Sequence, residues 1–310
     1  MRDTDPSPLI ELKNEILKAE VVALAGGGYI ADDFYIESRQ RLMLLRWSQS
    51  MGKKTVMWGQ GLGPITNKDL HFYASKALKN IDLLAVRERV VSEDLAETLG
   101  VSLEKIHFTG DDAVALALPP SAVEVTNSDV LGFNLRIASY SGLLPEITAQ
   151  IDSLIEQFCI EKNIDLRLIA ISSNTHGNDV EAVQSLENVS KRILNQQPLS
   201  SISDLALLVA SCRVVFTGSY HAAVFALASG IPVVCVAASE YYENKFCGLK
   251  AEYKQGCAVI RIDRQSISEI KIVLDDLWVN AATTCGFLRS VAEEQVKLSE
   301  AAYYQALMEI

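Results

Sequence analysis

Short apolar segments alternate with amphipathic ones along almost the whole sequence, and this alternation leaves few folds open to the chain. Val21–Ala25 and Leu83–Val86 are short and apolar, whereas Lys68–Lys79 and Pro145–Lys162 carry apolar residues at helical spacing. Parallel strands need crossover helices that bury them, so strands and helices alternate in proteins with parallel sheets. The pattern therefore predicts an α/β protein with Rossmann-like lobes.

The same periodicity predicts further elements throughout the sequence. The remaining predicted strands are Lys54–Trp58, Val130–Leu135, Leu166–Ile171, Arg213–Thr217 and Pro232–Ala237. The remaining predicted helices are Pro8–Ala19, Ser38–Met51, Ser92–Leu99, Val180–Leu194, Ile202–Ser211, Tyr220–Ser229 and a long terminal helix over Phe287–Met308. Three further segments, Tyr241–Leu249, Cys257–Ile260 and Ser266–Val279, complete the second half of the chain.

The length predicts two lobes, because a chain of 310 residues exceeds what one hydrophobic core usually organises. Between Pro119 and Asp129 the sequence PPSAVEVTNSD has the prolines and polar cluster of a connection. We therefore predict an N-terminal Rossmann-like lobe over residues 1–122 and a C-terminal one over residues 128–285. A helix over residues 286–310 would return the chain to the first lobe.

The overall charge argues against nucleic acid as a partner. Asp and Glu number 39 and Lys and Arg 28, for a net charge of -11, and the sequence contains no run of basic residues. The six cysteines have no C-x-x-C pair or Cys/His ligand spacing and indicate reduced thiols. No segment has the ~18 consecutive apolar residues of a membrane span, and no secretory signal is evident. We expect a cytoplasmic protein without an integral membrane segment.

Two glycine-rich segments follow predicted strands, where open parallel sheets bind their ligands. Gly26, Gly27 and Gly28 follow the first strand, and Gly59, Gln60 and Gly61 follow the second. Such loops let the backbone approach a ligand closely, but consecutive glycines are also typical of a tight turn. The spacing does not match the G-x-G-x-x-G dinucleotide motif, so we predict ligand-binding loops of another kind.

The segment Thr217-Gly218-Ser219-Tyr220-His221 contains the candidate catalytic residue. A buried strand ends there and a helix begins, which places His221 in the first helical turn. The positive end of the helix dipole disfavours a charged imidazole until an anion binds, and this property suits a substrate-dependent acid. A neutral histidine that only hydrogen-bonds a backbone carbonyl is the competing interpretation. Gly218, Ser219 and Tyr220 are predicted substrate contacts.

Four other polar residues follow strands of the second half and are candidate substrate ligands. Asn174 and His176 lie in a polar loop, Arg136 follows the strand at Val130, and Lys245 follows the strand at Pro232. Each could equally lie on a solvated surface. The sequence contains no Ser-His-Asp catalytic triad pattern, P-loop motif or H-E-x-x-H motif, which argues against an α/β-hydrolase, a Walker ATPase and a zinc protease. No metal is predicted.

Taken together, these segments resemble those of a known family. The segments are AGGGYIADDF, WGQGLGPI, AVRERVVSEDLAETLGV, FTGDDAVALA and TGSYHAAVFALASGIPVVCVAASEYYENKFCGL. Together they resemble the polysaccharide pyruvyl transferase family, and the resemblance covers about Ala25 to Leu249. It implies two Rossmann-like lobes in a GT-B-like arrangement with a central cleft. It also implies an enzyme that transfers pyruvate as a ketal from phosphoenolpyruvate to a sugar of a cell-surface polysaccharide or its precursor, without a cofactor.

The resemblance also implies roles for individual residues. His221 matches the family histidine that acts as general acid, Lys245 and Arg136 would hold phosphate or carboxylate, and the N-terminal lobe would be the acceptor side. Ser219 occupies the position of a family arginine, so a main phosphate ligand is missing. A single helix precedes the Gly26 strand, which predicts a shortened acceptor lobe.

Two alternative functions remain open at this stage. One is a GT-B glycosyltransferase that uses a nucleotide sugar, since Ser219 at a helix N-terminus suits a diphosphate. The other is a catalytically silent member of a polysaccharide-assembly complex. The expected partners are a small-molecule donor and a glycan or lipid-linked acceptor. The protein would meet them at the inner face of the membrane. Homo-oligomers and membrane-associated assembly partners both remain open.

Overall fold

The structure is a computed structural model that describes residues 7–118, 128–135, 145–173, 178–193, 199 and 201–308. These residues form two compact units, which are described one at a time. The first unit contains the chain up to Asp112 and again from Val296 onward. The second unit runs from Ala113 to Gln295.

The first unit contains a parallel sheet between helices. Its elements are α1 (Ser7–Lys18), β1 (Val21–Leu24), β2 (Gly27–Ile30), α2 (Tyr35–Ser50), β3 (Lys54–Leu62), α3 (Lys68–Leu78), β4 (Leu83–Val86), α4 (Ser92–Thr98) and β5 (Ile106–Phe108). The strand order is β1-β3-β4-β5, with all pairs parallel. β1 pairs with the first half of β3 and β2 with the last, so β1 and β2 form one interrupted edge.

Both faces of this sheet are covered, as parallel strands require. On one face, Leu42 of α2 and Leu70 of α3 are fully buried in the larger core of the unit. On the other face, Ala302 near the C-terminus of the chain packs with Trp58 of β3. The Trp58 ring stacks on Tyr303 with 4.0 Å between ring centroids.

The second unit contains the other parallel sheet. Its elements are α5 (Ala113–Ala117), β6 (Val130–Asn134), α6 (Pro145–Lys162), β7 (Asp165–Leu168), α7 (Asp179–Gln184), α8 (Val189–Arg192), α9 (Ile202–Ala210), β8 (Val214–Thr217), α10 (Tyr220–Ala228), β9 (Val233–Ala237), α11 (Glu240–Tyr253), β10 (Cys257–Arg261) and the larger part of α12 (Ile267–Met308), whose residues from Val296 onward belong to the first unit. The strand order is β10-β9-β8-β6-β7, with all pairs parallel. The chain therefore reverses its direction across the sheet between β6 and β8.

The core of the second unit is built from aromatic and aliphatic side chains. Phe133 of β6 and Phe216 of β8 stack with 5.9 Å between centroids, and Phe158 of α6 meets Trp278 of α12 edge to face. In α10 every residue from Ala222 to Ala228 is buried. Because α10 is buried from Ala222 onward, the rest of the helix fixes the position of its first turn.

The predicted fold class, an α/β protein with two lobes and parallel sheets, is confirmed. Four element predictions were wrong. The loop that we predicted at Gly26, Gly27 and Gly28 becomes strand β2 from Gly27 onward. β3 continues through Leu62 where we predicted a loop after Trp58, and the predicted helix over Val180–Leu194 is divided into α7 and α8. The two predicted C-terminal segments form the single 42-residue helix α12. In the part of the chain that the structure describes, no helix has the length and apolarity to span a bilayer.

Candidate functional site

The carboxyl ends of β6 and β8 lie at the point where the second sheet reverses its strand order, which is where open α/β sheets bind ligands. Asn134, the last residue of β6, is fully buried, and its amide donates to Ile169 O at 2.8 Å. Its Oδ1 accepts a hydrogen bond from Thr217 Oγ1 at 3.2 Å. Thr217 Oγ1 in turn accepts from Ser219 N at 2.8 Å, and Gly218 N donates to Asn134 O. This network fixes the turn that leads into α10.

The predicted residues Ser219, Tyr220 and His221 form the start of α10. Ser219 is the N-cap residue, with extended backbone angles, but its side chain caps none of the helix amides. Tyr220 is buried, whereas His221, the second residue of the helix, is exposed. The two rings meet edge to face with 5.6 Å between centroids. The imidazole is therefore directed away from the core, beside a helix N-terminus that favours anions.

Lys245 belongs to α11, which packs against the start of α10. Tyr220 stacks on Phe246 with 6.4 Å between centroids, so the neighbouring residue Lys245 lies on a helix that contacts the α10 start. Lys245 Nζ lies 3.8 Å from the centre of the Tyr241 ring and donates a hydrogen bond to the Tyr241 hydroxyl. This cation is half-buried and held by aromatic rings.

Three predicted ligands fall outside the described residues. These are Arg136, which follows β6, and Asn174 and His176 in the loop after β7. The structure therefore adds nothing to the predictions made for them.

In the first unit, two of the predicted glycines pack against a side chain that the sequence analysis did not single out. A Cβ added to Gly26 would lie 2.9 Å from Asp112 Oδ2, and one added to Gly59 would lie 2.8 Å from Asp112 Cγ. Gly59 also has a φ of +47°, in the left-handed region. The space over both glycines is thus occupied by the Asp112 carboxyl group.

The remaining predicted residues of the first unit lie beside these glycines. Gln60 is fully buried in β3, and its amide donates to Ala25 O at 2.7 Å and to the Tyr29 hydroxyl at 3.1 Å. A Cβ on Gly27 would lie 2.7 Å from the Tyr29 ring. Gly28 is half-buried in β2. Gln60 therefore joins β3 to the interrupted edge of the sheet.

Gly61 packs against a buried ion pair that the sequence analysis also missed. A Cβ on Gly61 would lie 2.5 Å from Arg87 Nε. Arg87 follows β4 and Asp111 follows β5, and their side chains pair at 3.1 Å while almost fully buried. The segment FTGDD contained the signal for these carboxylates, because two adjacent aspartates follow an apolar segment at a strand end.

The Asp112 carboxyl group has a perturbed proton affinity. Burial, reinforced by the negative charge of Asp111, raises its pKa to about 6, although a hydrogen bond from the Gly26 N–H acts in the opposite direction. Its Oδ1 is buried and finds no hydrogen-bond partner among the described residues. Among those same residues, no group of three or more His, Cys, Asp or Glu side chains could hold a metal ion.

Solved structures with the same fold define the class of this protein. A protein from Listeria monocytogenes assigned as a UDP-N-acetylglucosamine 2-epimerase matches with a TM-score of 0.65 and 14% identity, over 100% of this chain and 82% of its own. HepE of Anabaena in complex with UDP-glucose matches with a TM-score of 0.62 and 15% identity, over 99% and 85%. S. aureus MnaA with UDP matches with a TM-score of 0.60 and 14% identity, over 97% and 78%. The chain therefore has the GT-B type of α/β fold.

The family follows from the sequence. The family model for polysaccharide pyruvyl transferase matches residues 2–240, which is most of the chain. The protein belongs to the polysaccharide pyruvyl transferase family, and it is a transferase. A comparison with curated proteins gives no match.

Proposed function

We propose that the protein transfers a pyruvyl group from phosphoenolpyruvate to a sugar of a cell-surface polysaccharide or its precursor, with His221 as general acid. The observation that carries the proposal is the exposed imidazole in the first turn of α10, at the reversal point of the second sheet, in a chain of this family. The acceptor is a glycan or a lipid-linked sugar, and the reaction needs no cofactor. The protein would act in the cytoplasm, at the inner face of the membrane.

In the proposed reaction His221 protonates the methylene carbon of phosphoenolpyruvate. The double bond supplies the electron pair for the new C–H bond, and C2 becomes electrophilic. Two hydroxyls of the sugar add to C2, and the C2–O bond to phosphate breaks. One of the two hydroxyl protons restores the imidazolium and the other leaves with the phosphate, so the products are the ketal and inorganic phosphate.

The start of α10 offers a place for the phosphate or carboxylate of the donor. The backbone amides of the first turn and the helix dipole favour an anion there, and the Ser219 side chain caps none of them. Lys245, on the helix that packs against Tyr220, is the cation that we propose as the second anion ligand. Arg136, Asn174 and His176 complete the proposed donor ligands.

The direct test is turnover with phosphoenolpyruvate and a set of sugar-nucleotide and lipid-linked acceptors. Phosphate release and the mass increase of the acceptor are measured together, since ketal formation must produce both. We expect His221→Gln to lower the rate by about 10²–10⁴-fold, the usual contribution of a general acid. His71→Gln, in α3 of the first unit, is the matched control and should retain the wild-type rate. Equal rates for the two variants would contradict the role of His221.

A second candidate, a glycosyltransferase that uses a nucleotide sugar, is favoured by one observation. Ser219 occupies the position of the family arginine, and a neutral N-cap at α10 suits a diphosphate. HepE and MnaA, which share the fold, were solved with UDP-glucose and UDP. Thermal unfolding with each donor distinguishes the two functions, because only a ligand that binds the folded protein raises its stability. At about 100 times its Kd such a ligand stabilises the folded state by about 2.7 kcal/mol. Stabilisation by UDP-glucose and not by phosphoenolpyruvate would favour this second candidate. Stabilisation by neither ligand would favour a silent member of an assembly complex.

A further inference from the structure

Helix α1 exposes an unusually apolar surface. Leu9 is 68% exposed, Ile10 56% and Leu17 50%, and Ile16 is the one buried residue among the described side chains of this helix. Helical spacing collects these residues and Leu12 on one side of the helix, where the exposed Lys13 is the one charged residue, and it directs Glu11 and Glu15 to the opposite side. The first unit therefore carries an amphipathic helix whose apolar side is mostly unburied.

A cluster of cations lies in the same unit, and we call it the basic pocket. It comprises Arg46 of α2, Lys53 and Lys54 at the start of β3, and Lys76 of α3, around a cavity of about 550 Å³. Asp82 is the one carboxylate in the lining, and its Oδ2 accepts a hydrogen bond from Thr55 N at 2.7 Å. The basic pocket is therefore positively charged, although the whole chain has a net charge of -11.

The basic pocket and α1 are directly connected. Lys53 Nζ donates a hydrogen bond to Leu17 O, near the C-terminal end of α1, at 2.8 Å. On the α3 side, Phe72 is 53% exposed, and its ring centre lies 5.7 Å from Lys76 Nζ. Apolar, cationic and aromatic side chains therefore belong to neighbouring parts of one unit. Proteins that bind the surface of an anionic bilayer combine these three side-chain types.

We infer that α1 and the basic pocket form a docking surface for a membrane that contains anionic phospholipids. The apolar side of α1 would enter the boundary between headgroups and acyl chains, and the four cations would contact lipid phosphates. A second copy of the chain fits less well, because a two-fold contact through this surface would bring two basic pockets together. A free phosphate accounts for the cations but leaves the apolar side of α1 without a role.

The test is sedimentation of the whole protein with vesicles of phosphatidylglycerol and phosphatidylcholine, compared with vesicles of phosphatidylcholine alone. We expect binding to the anionic vesicles that weakens as salt is added. Each cation near an anionic surface contributes about fivefold to partitioning, so Arg46→Gln combined with Lys76→Gln should lower binding on the order of 25-fold. Leu9→Gln combined with Ile10→Gln should also lower it. This experiment requires no turnover and is independent of the proposed reaction.

The matched control is Ile272→Gln combined with Val279→Gln, since both residues are 67% exposed on α12 in the second unit. The control should bind as the wild type does, and circular dichroism should show that every variant is folded. Binding to neither vesicle type, or equal loss in the control, overturns the inference. The inference is also overturned if inorganic phosphate displaces the protein from the vesicles at constant ionic strength while the α1 variant binds them as the wild type does. It is overturned as well if the protein forms a dimer in solution that the α1 variant abolishes.

Discussion

Replacement of Asp112 by asparagine should stabilise the first unit near neutral pH. Burial and the neighbouring Asp111 raise the pKa of the Asp112 carboxyl group to about 6, compared with about 3.9 in an unfolded chain. The folded state therefore holds this proton more tightly than the unfolded state does. The stability linked to it is complete below about pH 3.9 and is lost as the pH rises through about 6.

The size of the effect follows from the pKa difference. About 2 pKa units correspond to about 3 kcal/mol, because each unit is worth about 1.4 kcal/mol. Asp112 is only half-buried, so solvent screening reduces the expected effect to about 1–2 kcal/mol. The asparagine side chain carries no charge at any of these pH values, so the gain of the variant over the wild type should be small at about pH 4 and complete at about pH 8.

Urea unfolding at several pH values measures this difference. Trp47 and Trp58 belong to the first unit and Trp278 to the second, so a Trp278→Phe background lets fluorescence report on the first unit alone. Glu20→Gln removes an exposed carboxylate of the same unit that lies outside its helices and strands, and it should change the free energy of unfolding by less than about 0.5 kcal/mol. A difference between wild type and Asp112→Asn that stays constant with pH would refute the reasoning.

Three further substitutions test the packing around the sites. Arg87→Met should destabilise the first unit by about 3–5 kcal/mol in urea unfolding, because it leaves Asp111 buried without its cation; a smaller loss than for an exposed arginine would contradict this. Gly256→Ala should cost about 1–3 kcal/mol, since its Cβ would overlap the buried Leu288 side chain, and thermal melts should show that the added change Leu288→Ala removes that clash. Thr217→Val removes the three hydrogen bonds of the Thr217 hydroxyl at the turn before α10 and should cost about 1–3 kcal/mol in chemical unfolding, together with weaker donor binding by calorimetry.

Some elements could not be predicted because distant residues decide them. The division between α7 and α8 depends on Asp152 of α6, which is buried and accepts hydrogen bonds from the backbone N–H groups of Asn188 and Val189. We predicted that the terminal helix begins at Phe287, but α12 begins at Ile267 and continues through Gly286, where an added Cβ would meet open space. Packing along the rest of α12 outweighs the weak helix propensity of one glycine.

The glycines of β3 illustrate the same limit. A strand followed by Gly59 and Gly61 suggested a ligand loop, because glycines at the end of a strand let the backbone approach a ligand closely. The strand continues instead, and the two positions accept the Asp112 and Arg87 side chains, which follow β5 and β4. The sequence could not separate a ligand from a side chain of the same protein, because both require the missing Cβ.

The sequence by itself determined the α/β class, the family and the position of His221 at the start of a helix. Those features depend on local periodicity and on residues close together in the chain, which a single sequence displays directly. Only the tertiary structure decided which strands are neighbours, and hence that Asp111 pairs with Arg87 and that Asp112 covers two glycines. Such contacts join residues that are tens of positions apart in the sequence. Their burial determines the strength of the Arg87–Asp111 ion pair and the raised pKa of Asp112.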